Sequence, residues 1–294
     1  MTIQKRLDRV YQTAPEIPFD DTSRLVFMSD CHRGDGSWAD NFARNQNLCY
    51  AALRHYYIKG FTYFELGDGD ELWENKCLCD IVTMHSDIFS LMARFYREGR
   101  LYMLYGNHDM AKKSKSIYKS YAVVEDEFEQ TKKALFPDIA IHESLKLRHR
   151  RTGREILLTH GHQADFLNYR LWRLARFLVR YLWRPLELSG INDPTDPGKN
   201  YHKKSRVHQC LSDWSAQNQC MLIAGHTHKP ALPPPGESLY FNDGSCVHPR
   251  CITAVELENG MAALVKWAHF TRMDGTLYVD REILAGPYEI EAYF

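Results

Sequence analysis

Three short apolar runs alternate with two helical patterns in the first third of the chain, and this alternation restricts the fold more than any other feature. The runs predict strands at 24–29, 62–66 and 101–105, and the patterns between them predict helices at about 38–59 and 79–98. Gly60 and Gly99 follow the two helical patterns, as helix-ending glycines do. Strands that alternate with helices pair in parallel through right-handed crossovers. We therefore expect an α/β fold around a parallel sheet.

The second half of the chain has a different sequence pattern, with short strand-like runs and Gly-containing turns. A hairpin pattern covers 145–158 around a turn at 151–153, and a further apolar run covers 220–224. From residue 238 onward four more runs occupy 239–242, 251–257, 261–269 and 277–284. These runs predict a second sheet, at least partly antiparallel, that packs on the first.

An unusual helical segment separates the two halves. Its residues, 166–184, are mostly apolar, and Pro185 ends the pattern. Its arginines recur at spacings of three and four residues and therefore share one face of a helix: Arg170, Arg173, Arg176, Arg180 and Arg184. A loop at 190–201 follows, and a shorter helix is expected to resume near Lys204. Two interpretations stay open for the first helix: a surface for lipid or a diphosphate, or a helix packed on the second sheet with its arginines in water.

The composition excludes several classes of protein. The 294 residues are 44% hydrophobic and 25% charged, which is ordinary for a globular chain and argues against extended disorder. Lys and Arg number 37, as do Asp and Glu, so the formal net charge is zero and nucleic acid is disfavoured as a partner. No apolar run reaches the roughly 18 residues of a membrane-spanning helix, and the first 21 residues lack an apolar signal core. We therefore expect a cytoplasmic protein.

The eight cysteines are scattered along the chain without a CxxC pair, so they offer no zinc template. We expect them to be reduced thiols, partly buried, as is usual in the cytosol. The 14 histidines are more informative, because several stand beside carboxylates at the ends of predicted strands.

The predicted strands run directly into polar turns. These turns carry Asp30-x-His32, Asp68-x-x-Glu71, Asn107-His108-Asp109, His160-Gly-His162 and His226-x-His228. Ligands of open α/β sheets collect at the carboxyl ends of the strands, so the turns should converge. Nitrogen and oxygen donors together suit Mn, Fe or Zn, whereas Ca and Mg prefer oxygen alone. A pair of ions with a bridging carboxylate would bind both the attacking and the leaving oxygen of a phosphoryl group.

This ordered series resembles the calcineurin-like metallophosphoesterases, and the resemblance spans roughly residues 24–245. It implies a four-layer αββα sandwich that holds two divalent ions at the strand ends, with Mn²⁺ favoured and Fe or Zn as alternatives. The implied ligands are Asp30, His32 and His228 for one ion, and Asn107, His160 and His226 for the other. Asp68 would bridge the ions, and Asn107 would ligate through its amide oxygen.

The resemblance also implies a catalytic histidine. His108 would not bind metal but would face the phosphate, as a general acid or as a stabiliser of charge. Its orienting carboxylate is either Asp70 or Glu71, and the sequence does not decide between them.

Three residues are candidates for contact with the substrate. Arg33 is either a phosphate contact or a solvated arginine. Asn107 stands beside the substrate as well as the metal, and His162 is expected to support the ligand His160.

The activity that the resemblance implies is hydrolysis of a phosphoester or a phosphoanhydride by metal-activated hydroxide. A helical lid at about 164–218, inserted in a single domain of residues 1–294, makes the chain similar to UDP-2,3-diacylglucosamine pyrophosphatases. The substrate would then be either a phosphorylated small molecule or a lipid-linked nucleotide diphosphate. His108 departs from those pyrophosphatases, in which arginine is common at this place.

Alternatives of other classes stay open. A non-catalytic scaffold would share the fold, although all seven ligand positions are filled by competent residues here. A nuclease would use the same metals, but the neutral chain gives it no support. The helix at 166–184 would place the protein at the inner face of the membrane if it contacts lipid.

Overall fold

The computed structural model describes residues 1–114, 123–126, 131–165, 169, 176–183 and 201–294. The helices that it describes from end to end are α1 (Ile3–Thr13), α2 (Gln46–Ile58), α3 (Leu78–Met84), α4 (Ser86–Arg97) and α5 (Tyr201–Asn218). The strands are β1 (Glu16–Phe19), β2 (Arg24–Met28), β3 (Thr62–Glu65), β4 (Leu101–Leu104), β5 (Val123–Asp126), β6 (Thr131–Ala134), β7 (Ile141–His142), β8 (Ser144–His149), β9 (Glu155–Thr159), β10 (Met221–Ala224), β11 (Tyr240–Asn242), β12 (Cys251–Glu258), β13 (Met261–Thr271) and β14 (Leu277–Glu289).

The larger sheet has seven strands in the order β14-β13-β12-β2-β3-β4-β7. Strands β2, β3 and β4 pair in parallel, with Phe27 beside Phe64 and Phe64 beside Tyr102. Helix α2 connects β2 to β3, and α3 and α4 connect β3 to β4. The alternation of strand and helix predicted for this part of the chain is confirmed.

The second sheet has five strands in the order β1-β8-β9-β10-β11. The predicted hairpin is present, because β8 and β9 pair antiparallel on either side of Gly153. Strands β9, β10 and β11 are parallel to one another, so β9 and β10 end at the same edge of the sheet.

The last three strands extend the larger sheet, and the expectation that they form the second sheet is wrong. Strand β12 pairs antiparallel with β2, and β13 and β14 follow it outward. Strand β12 fits this central place because both of its faces are buried. Ala254 contacts the core under the helices, and Val255 contacts the core between the sheets. Of the strands after residue 238, only β11 joins the second sheet.

Helices cover the outer face of each main sheet. Leu53 of α2 and Phe95 of α4 pack on the larger sheet, while Leu7 of α1 and Trp214 of α5 pack on the second. The inner faces of the two sheets pack directly on each other, as Phe27 does. The order of layers is therefore helix, sheet, sheet, helix, which confirms the expected αββα sandwich.

One buried carboxylate, that of Asp40, accounts for how two of the predicted helices differ from the observed ones: the first is shortened and the second is divided. The first begins only at Gln46, because Asp40 organises the preceding loop and accepts the N–H groups of Gly36 at 2.9 Å and Phe42 at 3.0 Å. The second divides into α3 and α4 at His85, whose Nε2 lies 2.9 Å from Asp40 Oδ2. Asp40 therefore fixes the start of one helix and the break in the other.

The expectation of eight reduced cysteines is wrong for one pair. Cys77 and Cys79 form a disulfide, and the other six cysteines are free thiols. The pair closes because Cys77 caps the start of α3 in a turn that leaves the two Cα atoms 5.2 Å apart.

Much of the segment between the two halves lies outside the described residues. This applies to most of the predicted helix at 166–184, to all of the loop at 190–200, and to three of the five arginines; Arg176 and Arg180 are described. Helix α5 corresponds to the helix predicted near Lys204. Within the described ranges, no helix is both long enough and apolar enough to span a bilayer.

Candidate metal centre

The predicted ligands lie where the carboxyl ends of strands from both sheets meet. They follow β2 (Asp30, His32), β3 (Asp68), β4 (Asn107), β9 (His160) and β10 (His226, His228). Nine described residues other than glycine have positive φ, and five of them are in this set, with φ between 48° and 66°. Left-handed backbone is costly for a residue with a Cβ and clusters at functional sites. The chain therefore turns sharply at these strand ends.

A first group of donor atoms consists of Asp30, His32 and His228. One donor atom from each residue lies within 4.8 Å of the other two. Asp30 Oδ1 is 3.0 Å from His228 Nε2 and 3.6 Å from His32 Nε2. The structure thus brings together the three residues predicted to hold one ion.

A second group consists of Asp68, His160 and His226, again with donor atoms within 4.8 Å of one another. Asp68 Oδ2 is 3.0 Å from His160 Nε2 and 4.0 Å from His32 Nε2 of the first group. Asp30 Oδ1 is likewise 3.9 Å from His160 Nε2. The two groups are therefore adjacent, and the carboxylate of Asp68 lies between them.

Neighbouring groups hold the ligands in one orientation. Asp30 Oδ2 accepts the backbone N–H of His226 at 2.8 Å, and Asp68 Oδ1 accepts that of His108 at 2.8 Å. His160 Nδ1 lies 2.9 Å from the carbonyl oxygen of Leu66. An Nδ1–H donated to that carbonyl leaves the Nε2 lone pair free for a metal.

Two glycines allow the backbone to approach the carboxylates closely. A Cβ at Gly225 would stand 2.6 Å from Asp30 Oδ2 and 2.0 Å from Ser29 Oγ. A Cβ at Gly106 would stand 2.1 Å from Asp68 Oδ1. A side chain at either position would displace a predicted ligand, which is why these turns require glycine.

Several predicted donor atoms have no hydrogen-bond partner. Among the described residues, four such buried atoms are Asp30 Oδ1, His32 Nε2, Asn107 Oδ1 and His160 Nε2. Buried polar atoms are rarely left without a partner, and an exception calls for an explanation such as an ion. Two of these atoms are oxygens and two are imidazole nitrogens, so they fit the donor set of a Mn, Fe or Zn site.

The electrostatics of the site favour ionised carboxylates. Burial opposes the charge of Asp30, but His228 and His160 outweigh it and hold its pKa well below the usual range. The pKa of Asp68 is lowered in the same way, against burial, by His160 and His108. In return, Asp68 and Asp30 overcome the burial of His160 and raise its pKa to about 9. Both carboxylates are therefore ionised at neutral pH.

His108 is oriented by Glu71, which resolves one of the open alternatives. His108 Nδ1 lies 2.7 Å from Glu71 Oε2, and the same carboxylate oxygen lies 2.8 Å from His32 Nδ1. Trp73 stacks on the His108 ring, with centroids 4.1 Å apart and an interplanar angle of 22°. One carboxylate thus links a predicted metal ligand to the predicted catalytic histidine.

Arg33 and Asp70 are buried away from the ligands, and two expectations are therefore wrong. Arg33 is neither solvated nor directed at a phosphate, because it is fully buried and donates to Asp70 Oδ1 at 2.7 Å and Glu65 Oε2 at 2.7 Å. Asp70 is engaged by Arg33 and by Lys112 Nζ at 2.8 Å, so it does not orient His108.

Sequence reasoning missed Lys112, which completes this buried network. Its ammonium lies 2.5 Å from Asp109 Oδ2. Asp109 in turn accepts the N–H groups of Gly106 at 2.6 Å and Gly69 at 3.1 Å, which flank the loops that carry Asn107 and Asp68. The only sequence signal for this role is the three-residue spacing from Asp109 to Lys112 along one helical turn.

His162 stands next to the second group but is not part of it. Its ring centroid is 5.5 Å from that of His160, and both of its nitrogens are buried without a hydrogen-bond partner in the described structure. Burial, together with His160 and His226, lowers the pKa of His162 well below its ordinary value. His162 is therefore a neutral imidazole beside the ligands.

Comparison with known proteins shows similarity to one protein family and to a solved structure. The sequence model described as "Calcineurin-like phosphoesterase superfamily domain" matches residues 70–259. A crystal structure from Staphylococcus aureus, of a protein given provisionally as a 5′-nucleotidase in complex with alpha-ketoglutarate, is similar at 14% identity with a TM-score of 0.36. That match covers 89% of this chain and 54% of the other, so the present chain spans about half the length of that relative. No curated protein matches this sequence.

Proposed function

This chain belongs to the calcineurin-like phosphoesterase superfamily, and on that premise we propose that it is a two-metal hydrolase of phosphoesters or phosphoanhydrides. One observation carries the proposal: two adjacent groups of nitrogen and oxygen donors meet at the strand ends with Asp68 between them. A non-catalytic scaffold would have no need of such a complete set of donors.

The proposed assignment gives each group one ion. Asp30, His32 and His228 would hold the first, and Asn107, His160 and His226 the second, with Asp68 shared. When bound, such ions lower the pKa of a coordinated water and neutralise charge on phosphate oxygens. Mn²⁺ is the first choice, with Fe or Zn as alternatives, because the donors mix imidazole with oxygen.

His108 has the geometry of a proton donor. Because its Nδ1 is bonded to Glu71, its Nε2 is the nitrogen left to face a substrate. We assign to this nitrogen either the transfer of a proton to the leaving oxygen or a hydrogen bond to the phosphoryl group. The stack on Trp73 fixes the plane of the ring, so the proton is delivered in one direction.

Hydrolysis of bis(p-nitrophenyl) phosphate with Mn²⁺ tests this function. The Asp68→Ala variant should lose the activity and bind fewer than two Mn²⁺ per chain by elemental analysis after desalting. Asp274→Ala, at an exposed hairpin turn, is the matched control and should retain both activity and metal. Near-normal turnover by Asp68→Ala, or a wild-type protein that takes up no Mn, Fe or Zn, would refute the proposal.

A lipid-linked nucleotide diphosphate is the second candidate substrate, and the segment 176–183 favours it. Arg180 Nη2 of this segment donates to the carbonyl of Leu72 at 2.7 Å, and its Nε donates to that of Trp73 at 2.9 Å. Phe177 and Tyr181 are 58% and 57% exposed beside this anchor. An apolar surface is therefore tied to the loop that carries the residue stacked on His108.

The lid that we propose lies between Asp165 and Tyr201. We do not extend the lid to residue 218, the end expected from the sequence, because Leu211 and Trp214 of α5 pack on the second sheet. Within a single-domain protein, this segment would also be the place of peripheral contact with the inner membrane face. The proposed location is therefore cytoplasmic or peripheral.

Paired substrates test the lid. We expect Phe177→Ser/Tyr181→Ser to lower kcat/KM for a UDP-diacylglucosamine at least tenfold and to leave that for bis(p-nitrophenyl) phosphate unchanged. Equal effects on both substrates would contradict the role of this segment in lipid recognition while leaving the two-metal hydrolase intact.

A further inference from the structure

Three cysteine thiols from distant parts of the chain meet directly beneath the first group of ligands. Cys31 follows β2, Cys49 lies in α2, and Cys246 precedes β12. Their Sγ atoms all lie within 4.8 Å of one another, all three residues are fully buried, and none of them is in a disulfide. This convergence is not a local motif, because the residues come from three separate elements.

The surroundings of the three thiols are apolar except on one side. The cluster belongs to the core between α2, α4 and the larger sheet. The guanidinium of Arg33 acts electrostatically on Cys31 and Cys49 from that side. Hydrogen bonds among the three thiols, together with burial, raise the pKa of Cys31 and of Cys246 well above the usual range, and the same hydrogen bonds hold the pKa of Cys49 well below it. Thiolates are the form in which cysteine binds metal.

We propose that Cys31, Cys49 and Cys246 form a separate site for one soft cation of the Cu⁺ class. Soft thiolate ligands select Cu⁺, and structural zinc instead prefers four ligands. The group found among the described residues has three donors. With a metal–sulfur distance of about 2.3 Å, three trigonal sulfurs lie about 4 Å apart. That separation is compatible with the three Sγ atoms, which all lie within 4.8 Å of one another. Each metal–sulfur bond replaces an S–H bond, and the proton passes to the buffer.

This site would be coupled to the catalytic centre through the backbone. Cys31 stands between Asp30 and His32 in the chain, on the opposite side from their side chains. The backbone N–H of Cys246 donates to the carbonyl oxygen of Asp30 at 3.2 Å. A cation held by the three sulfurs would therefore restrain the loop that presents the first group of ligands.

The test measures Cu⁺ held by the Mn²⁺-loaded protein under anaerobic, reducing conditions, in competition with bicinchoninate. All variants are made in a parent protein that carries Cys77→Ser and Cys79→Ser, because that pair of cysteines would bind Cu⁺ on its own when reduced. We expect one Cu⁺ per parent chain, and at least a tenfold loss of affinity when Cys49→Ser and Cys246→Ser are added. Cys210→Ser, which removes a free thiol of α5, is the matched control and should leave binding unchanged.

X-ray absorption at the copper edge makes the result independent of any variant that fails to fold. Three sulfur neighbours in the parent protein are expected. Nitrogen or oxygen neighbours would overturn the proposal, since the copper would then occupy the histidine site. Retention of Cu⁺ by the variant without Cys49 and Cys246, or no Cu⁺ held by the parent against bicinchoninate, would overturn it as well.

Discussion

Replacement of Lys112 by methionine tests whether the buried network beneath the metal centre stabilises the fold. The ammonium of Lys112 lies 2.5 Å from Asp109, 2.8 Å from Asp70 and 3.7 Å from Glu65, and all four side chains are inaccessible to solvent. Methionine keeps a similar unbranched shape but removes the charge, so three buried carboxylates would face Arg33 alone. Loss of one partner from a buried ion pair costs about 3–5 kcal/mol, because the remaining charge is left uncompensated.

The expected loss is a large fraction of the free energy of unfolding of a typical domain. Domains are stable by only about 5–15 kcal/mol, so Lys112→Met should remove a substantial part of the free energy of unfolding. We expect a loss of about 3 kcal/mol or more in urea unfolding, measured in EDTA so that bound metal does not contribute. Adding Asp70→Asn restores the balance of charge and should recover part of the loss.

The matched control is a lysine in an exposed ion pair. Lys266 pairs with Glu282 on the β13–β14 ribbon, where the two side chains are 31% and 42% exposed. Lys266→Met should cost less than about 1 kcal/mol. If Lys112→Met costs no more than Lys266→Met at an unchanged urea dependence, the network does not stabilise the fold and the reasoning fails.

Two further predictions concern the histidines of the site. His108→Ala should keep its bound Mn²⁺ but lose about 10²- to 10⁴-fold in kcat, as removal of a general acid does; loss of metal instead would show that His108 is a ligand. In EDTA, the urea midpoint should fall as the pH rises from about 6.5 towards 9, because His160, whose pKa is raised to about 9 in the fold, is stabilised there in its charged form. The His160→Asn variant should show a weaker dependence of the urea midpoint on pH. A midpoint that does not change with pH in the unmodified protein would contradict the prediction.

The ligands could be predicted from the sequence because each stands at the end of an apolar run. A strand and the turn after it can be recognised from a short stretch of sequence, so predicting them does not require contacts between distant parts of the chain. The sequence alone therefore predicts Asp30, Asp68 and His160 as ligands. The three-dimensional structure adds that their donor atoms meet, with Asp68 Oδ2 only 3.0 Å from His160 Nε2.

Sheet membership could not be predicted in the same way. The apolar run of β12 fits either sheet, because a strand buried on both faces shows no alternation. Its pairing with β2 places Val255 beside Phe27, more than two hundred residues away in the chain. Helix α1 was missed for a related reason: it packs few apolar residues, Leu7 and Val10 among them, and depends on contacts with the second sheet.

The side of the backbone on which each polar residue lies explains the two corrected assignments near the metal. Arg33 and Asp70 form an isolated parallel bridge, and their side chains meet on the helix side of the sheet. His32 and Glu71, the neighbours of that pair in the chain, meet beside the ligands instead, where His32 Nδ1 lies 2.8 Å from Glu71 Oε2. His32 has left-handed backbone, with φ of 48°, so the alternation of an extended strand does not predict the direction of the Arg33 side chain. The burial of Arg33 and the choice between Asp70 and Glu71 therefore both required the three-dimensional structure, which pairs Arg33 with Asp70.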